Sequence, residues 1–147
     1  KRIGSHFLNA GIGYGGSCFP KDVAAFIAIS EQLGLPFNLL KEVEVINRRQ
    51  LDRFVDLIRE KLWVLQEKKI ALWGLTFKPD TDDTRESVAI KLAEKLIAEN
   101  AEVTAYDPKG MTNARLHPVG DKLDYADSAL AASACFIGPG QDLRSYF

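Results

Sequence analysis

The 147-residue sequence has only two cysteines and a single methionine, the interior Met111, and it begins with Lys1. Cys18 follows a glycine run and Cys135 sits in an apolar stretch; with no signal-peptide pattern ahead of them they read as free thiols, not as a disulfide framework. No apolar run approaches the roughly 20 residues of a membrane span; the longest lies around 129–138. Charge of one sign is also missing, since 19 Lys and Arg stand against 20 Asp and Glu, for a formal net charge of −1. That balance gives no electrostatic footprint for nucleic acid or an anionic membrane, and a cytoplasmic location is expected. His6 and His117 are isolated, and no spacing of His, Cys, Asp and Glu resembles a metal site. With 46% hydrophobic and 27% charged residues the chain is expected to fold, and from its start at lysine it is expected to be part of something longer.

Glycine is scarce in most of the chain but dense in GIGYGGSCFPKD, residues 11–22, where Gly11, Gly13, Gly15 and Gly16 let the backbone take positive φ and approach a ligand closely. After it, Val23, Phe26, Ile27 and Leu33 keep helical spacing up to a capping Gly34, with Pro20 suited to the first turn. A second helix is expected over 37–62, with Leu40, Val43, Leu51, Phe54, Ile58 and Leu62 on one stripe and polar Asn47 interrupting it. Its length, about 40 Å, suits a connector or an oligomer interface, with packing on its own domain as the alternative. Near residue 67 the character changes. KIALWGL reads as a buried strand entering the loop GLTFKPDTDDTRES, followed by a helix over about 86–98 and the strand EVTAYDP: a βαβ unit with a right-handed crossover expected. A short helix over 123–131 and a strand over 133–138 complete the reading. The fold class is therefore α/β: a central helical segment (1–66) with one long connecting helix, then a partial Rossmann-like parallel-sheet domain (67–147).

Cys18 falls just before a helix N-terminus, where backbone amides and the helix dipole favour thiolate over thiol. Lys21 adds positive charge, and Asp22 is placed to accept a proton from an attacking water. The alternative, in which Cys18 is a small buried residue and Asp22 caps the first turn, stays open. Lys78 and Arg85 lie in a loop after a strand, where α/β sheets place ligands, or are solvated charges paired with Asp80, Asp82 and Asp83. Phe77 and Trp73 read as core. Asp107 ends the second strand where a dinucleotide unit would hold a ribose, but no GxGxxG follows the first strand, so a turn-forming Asp-Pro is the better reading. Cys135 reads as core.

KRIGSHFLNAGIGYGGSCFPKD resembles the active-site segment of the UDP-glucose/GDP-mannose dehydrogenase family, and GLTFKPDTDDTRES resembles the opening loop of that family's nucleotide-sugar domain. The resemblance implies an NAD-dependent, two-step oxidation of a sugar alcohol to a carboxylate, with Cys18 forming a thiohemiacetal and then a thioester, and Asp22 assisting hydrolysis. By position it implies that Gly13, Tyr14 and Gly15 line the substrate loop, with Phe7 and Leu8 on the sugar nucleotide. Arg2 would reach the substrate of a neighbouring subunit, Phe77 and Lys78 would contact the substrate, and Arg85 the cofactor. A UDP-sugar substrate and a homodimer or higher homo-oligomer through the long helix are further implications. GSCFPKD favours the members acting on UDP-glucose, because those acting on UDP-N-acetylhexosamines tend to carry a histidine before the cysteine; GDP-mannose and a non-catalytic dimerisation or nucleotide-binding module are the alternatives. The family's NAD-binding domain, its upstream lysine, asparagine and glutamate, and its later substrate-binding arginine are not in these residues. Asn9 replaces a lysine of some members, and residues 138–140 replace a family turn, so the chain alone is expected to be inactive.

Overall fold

A computed structural model describes residues 11–134, a mixed α/β arrangement of five α-helices and a three-stranded parallel sheet among those residues. Helix α1 (Phe19–Gln32) starts on Cys18 as N-cap with Pro20 in its first turn. It ends as the spacing requires: Gly34 takes φ +70° and donates to Glu31, and Leu35 donates to Ser30, the paired bonds of a Schellman cap. Helix α2 (Asn38–Leu62) runs 25 residues, or about 37 Å.

The sheet is built from β1 (Lys69–Trp73), β2 (Glu102–Tyr106) and β3 (Asp124–Tyr125), in that order and all parallel. Helix α3 (Val88–Ala98) carries the crossover from β1 to β2, and Asn100, at φ +62°, closes it with the same paired bonds that Gly34 gives α1. After β2 come α4 (Met111–Ala114), a 3₁₀ turn (Gly120–Lys122), β3 and α5 (Ala129–Ala134).

Two expectations change here. The helix expected over 123–131 is instead a short strand followed by a later helix: Leu123 is buried, Tyr125 pairs with Ala105, and Ala126 donates to the Ala105 carbonyl. Alternation of apolar Leu123 and Tyr125 about Asp124 is a strand period, and Ser128, whose Oγ accepts from the Ala131 amide, is the true helix cap. The strand expected over 133–138 begins in helix, since Ser133 and Ala134 belong to α5; its remainder, with Cys135 and residues 138–140, lies outside the described residues.

One buried cluster runs from Leu51 and Val55 of α2 through Leu75, Leu96 and Ala105 to Leu123. The C-terminal half of α2 is therefore bound to α3, through that cluster and through the Asp52–Lys95 (2.8 Å) and Arg59–Glu99 ion pairs at its edge. The other half differs. Phe26, Ile29, Leu33, Leu39 and Ile46 are at least half exposed, so the apolar stripe of α1 and the start of α2 face outward. Among the described residues no helix is long and apolar enough to cross a membrane.

Helix α2 stops at an uncommon turn. Trp63 takes φ +66° and ψ −53°, with the Val64 amide bonded to the Leu62 carbonyl at 2.8 Å: a γ-turn of the strained, positive-φ kind. Its side chain is 89% exposed, so packing does not hold it there. Trp63→Gly should therefore raise stability by about 1 kcal/mol, because relief of backbone strain exceeds the extra unfolded-state entropy of glycine. A urea midpoint that falls in this variant contradicts that account.

Candidate active site

Two loops far apart in sequence meet. Gly16 lies under the Phe77 ring at φ +92°, so that a Cβ there would come within 2.7 Å of the ring. Gly15 abuts the backbone of the β1–α3 loop, where a Cβ would overlap the Glu86 carbonyl oxygen. Gly15 and Gly16 are thus small because another loop occupies the space beside them. Of its four glycines, Gly13 and Gly16 take positive φ.

Cys18 emerges from this contact exposed and free, its Sγ 3.7 Å from Ser17 Oγ, and its carbonyl accepts the first helical bond from the Asp22 amide at 2.9 Å. The reading of Cys18 as a buried residue is excluded. Asp22, one turn along, is tied to Lys21 at 2.8 Å with both side chains exposed. That carboxylate, followed by the Cys18 charge, holds the lysine above the ordinary ammonium range. Tyr14 turns toward α2: its phenol donates to Glu44, and its ring stands edge-on to Phe19 with centroids 4.7 Å apart.

Across the contact, Phe77 is half buried and Lys78 is exposed with its ammonium 5.1 Å from the Phe77 ring centre. Arg85 forks onto Asp83, Nε to Oδ1 at 2.9 Å and Nη2 to Oδ2 at 2.7 Å. This fork holds the Asp83 carboxyl down at about 2 and raises Arg85, with a smaller contribution from Cys18 in the same direction. Of the expected acidic partners, Asp83 takes Arg85 and Asp80 takes Lys109, while Lys78 rests over its neighbour's ring. Trp73, expected in the core, is 57% exposed where β1 ends. Arg2, Phe7, Leu8, His6 and Asn9 lie outside the described residues.

Sequence reasoning missed three partners. Asn47 and Glu44 of α2 hold Tyr14, which the break in the apolar stripe could have signalled. His117 is not isolated: its Nε2 is 3.0 Å from the hydroxyl of buried Thr84, on the wall of a cleft of about 440 Å³ that also includes Asp83, Arg85, Asn113 and Pro118. Neither Cys18 nor Lys78 lines this cleft.

Asp107 holds the β1–α3 loop. It is almost fully buried, and its Oδ2 accepts from the amides of Leu75 (2.7 Å) and Thr76 (3.3 Å), its Oδ1 from those of Lys109 (2.8 Å) and Gly110 (2.7 Å). Burial pushes its pKa up, but the four backbone amides outweigh it and the net direction is down. The carboxylate is thereby committed to the backbone, and β1 leads into Gly74-Leu75-Thr76-Phe77, not into a glycine fingerprint, so this unit does not fit a dinucleotide.

A parallel sheet with α3 as crossover and a ligand-type loop at the carboxyl end of β1 defines a Rossmann-like α/β unit, joined here to a helical segment that carries a cysteine loop. Comparison with known proteins agrees. The UDP-glucose/GDP-mannose dehydrogenase family matches twice, its central domain over residues 1–49 and its UDP binding domain over residues 71–137. The chain is 45% identical over 128 residues to the UDP-glucose 6-dehydrogenase YwqF of Bacillus subtilis, covering 87% of this chain and 29% of that protein. It is 47% identical over 133 residues to AglM of Haloferax volcanii, also a UDP-glucose 6-dehydrogenase, covering 90% and 30%. Among solved structures, a UDP-glucose dehydrogenase from Pyrobaculum islandicum superposes with a TM-score of 0.85 at 41% identity, covering 90% of this chain and 31% of that one. A ternary complex of GDP-mannose dehydrogenase from Pseudomonas aeruginosa gives 0.73 at 31% identity, covering 88% and 31%. The chain belongs to the UDP-glucose/GDP-mannose dehydrogenase family. It spans about three-tenths of the length of these relatives.

The Asp107 arrangement has a defined pH signature. A carboxyl whose pKa is lower in the folded than in the unfolded chain contributes stability that is complete above its ordinary value of 3.8 and is lost as pH falls through the depressed folded value. Asp107→Asn leaves one side of the amide cluster without an acceptor, and should cost about 3 kcal/mol at neutral pH. It should also make the acid limb of stability against pH shallower below about pH 4, though not flat, because Asp83 and Glu99 shift in the same direction. Urea titrations at pH 3 and pH 7 check both; an unchanged acid limb contradicts the assignment.

Proposed function

We propose that the protein containing this chain is an NAD-dependent UDP-glucose 6-dehydrogenase, converting UDP-glucose to UDP-glucuronate. In this reading residues 1–66 supply the cysteine loop and an oligomer surface, and residues 67–147 the UDP-binding unit. The observation that carries it is the seating of Gly15 and Gly16 against Glu86 and Phe77, which sets an exposed thiol at a helix N-terminus beside a loop of the UDP-binding unit. Neither motif alone would bring a nucleophile and a nucleotide loop to one surface.

The chemistry follows from the groups present. The Cys18 sulfur, reacting as thiolate, adds to the carbonyl carbon of the aldehyde-level sugar; its sulfur–carbon bond makes the alkoxide of a thiohemiacetal, and loss of hydride leaves a thioester. Water then adds to the thioester carbon, Asp22 takes one proton, and the Cys18 thiolate leaves from a carboxylic acid that ionises by giving its proton to solvent. For that role Asp22 must exchange its contact with Lys21 for one with water. NAD, when bound, accepts the hydride of each oxidation. Because the β1–α3 unit does not fit a dinucleotide, NAD is assigned to residues other than those described, with exposed Arg85 as this chain's contact. Gly13, Tyr14 and Gly15 contribute the loop backbone, Phe77 and Lys78 the UDP-sugar side, and Arg2, Phe7 and Leu8 complete the sugar-nucleotide contacts.

The outward-facing Phe26, Ile29, Leu33, Leu39 and Ile46 support a homo-oligomer formed through the helical segment. Leu39→Asp combined with Ile46→Asp in the full-length protein should lower its sedimentation mass, and an unchanged mass argues against this surface. In the same protein, Cys18→Ser should abolish UDP-glucuronate formation by about 10³-fold or more while UDP affinity stays within about twofold. Acid formation at the wild-type rate would overturn the cysteine mechanism. Preferential turnover of GDP-mannose or a UDP-N-acetylhexosamine would overturn the substrate, and UDP binding without any turnover would favour a non-catalytic module.

A further inference from the structure

Asn47 breaks the apolar stripe of α2, and neither helix propensity nor the core calls for an amide there. Its side chain grips another segment's backbone. Oδ1 accepts the Tyr14 N–H at 2.8 Å and Nδ2 donates to the Tyr14 carbonyl at 3.1 Å, so a single side chain satisfies both main-chain groups of one loop residue. Glu44, one turn earlier on the same face, accepts the Tyr14 phenol. Burial, and after it Glu44, pushes that phenol up to about 12. Gly13 fits the same grip, since a Cβ there would stand 2.9 Å from Asn47 Oδ1.

The loop depends on this grip. Among the described residues no backbone–backbone hydrogen bond involves residues 11–17, so within those residues no ladder or turn fixes the segment's register. Tyr14 is instead held by α2, its ring packs edge-on against Phe19, and Phe19 follows Cys18 directly. Because α2 is in turn fixed to α3 through Leu51 and Val55, the loop is referred to the buried cluster and not to solvent.

We propose that Asn47, assisted by Glu44, is the positioning residue of the Cys18 loop. It touches neither thiol nor sugar, and acts by holding Tyr14 so that Cys18 stays at the N-cap of α1 with its thiol presented. The inference rests on the reading of Cys18 as a nucleophile.

The test is site-resolved alkylation of Cys18 by iodoacetamide in the full-length protein, across pH 6–9 and against glutathione. Wild-type Cys18 should react about tenfold faster than glutathione at pH 7, and Asn47→Ala should remove most of that excess while circular dichroism and the urea m-value stay unchanged. A purely structural role would lower the urea midpoint without moving the alkylation profile. A fast Cys18 unmoved by Asn47→Ala overturns the clamp alone; a wild-type Cys18 no faster than glutathione removes the nucleophile and anything for Asn47 to position. Hydrogen exchange of the wild-type protein decides the matter even if Asn47→Ala fails to fold. The Tyr14 amide should be slowed at least about tenfold relative to a free peptide, and exchange at the free-peptide rate overturns the proposal.

Discussion

Most of what positions the candidate site depends on one close approach, the glycine–cysteine loop lying against the β1–α3 loop with no room for a Cβ at Gly15 or Gly16. The approach at Gly15 is unforgiving, because the Glu86 carbonyl oxygen cannot rotate away as a side chain can. It ties the start of α1, and therefore Cys18, to the loop that carries Phe77, Lys78 and Arg85. The approach is held from both sides: Asn47 and Glu44 grip the glycine loop from α2, and Asp107 grips the β1–α3 loop through the amides of Leu75 and Thr76.

These two grips share a strategy. Each uses one polar side chain, away from the reacting groups, to satisfy main-chain donors in a segment without regular structure. Asp107 does so as a buried carboxylate, and the bonds to its charged form keep it ionised in spite of burial. Asn47 does so as a neutral amide, which can both donate and accept and so matches one residue's N–H and C=O together. The exposed ion pairs that decorate α2 and α3 have less consequence, since solvent screens them.

Much of the fold was legible. Gly34, Pro20 and the 3.6-residue spacing of α1 and α2 mark their ends and type, and KIALW, the helically spaced residues of 86–98 and EVTAY read as strand, helix and strand from short apolar runs bounded by loop and turn residues. The stretch after β2 was misread because Leu123 to Ala131 is too short for a helical period to be told from two strand residues and a later cap; pairing of Tyr125 with Ala105 decides it. Trp73 was misplaced for a related reason: an apolar residue at the end of a strand looks like core, although that end is where the chain leaves the sheet.

The sequence by itself determined the local chemistry: a cysteine at a helix start, a carboxylate one turn later, and a loop of charges after a strand, because capping, periodicity and turn preference act within a few residues. Only the tertiary structure decided why the glycines are needed, that Tyr14 turns toward α2, that Arg85 is held by Asp83 beside the site, and which four main-chain amides the Asp107 carboxylate accepts. Those outcomes turn on which backbone groups from distant segments come within hydrogen-bonding distance. The burial of Leu51, Val55 and Leu96 in one cluster sets that proximity, and no short-range rule encodes it.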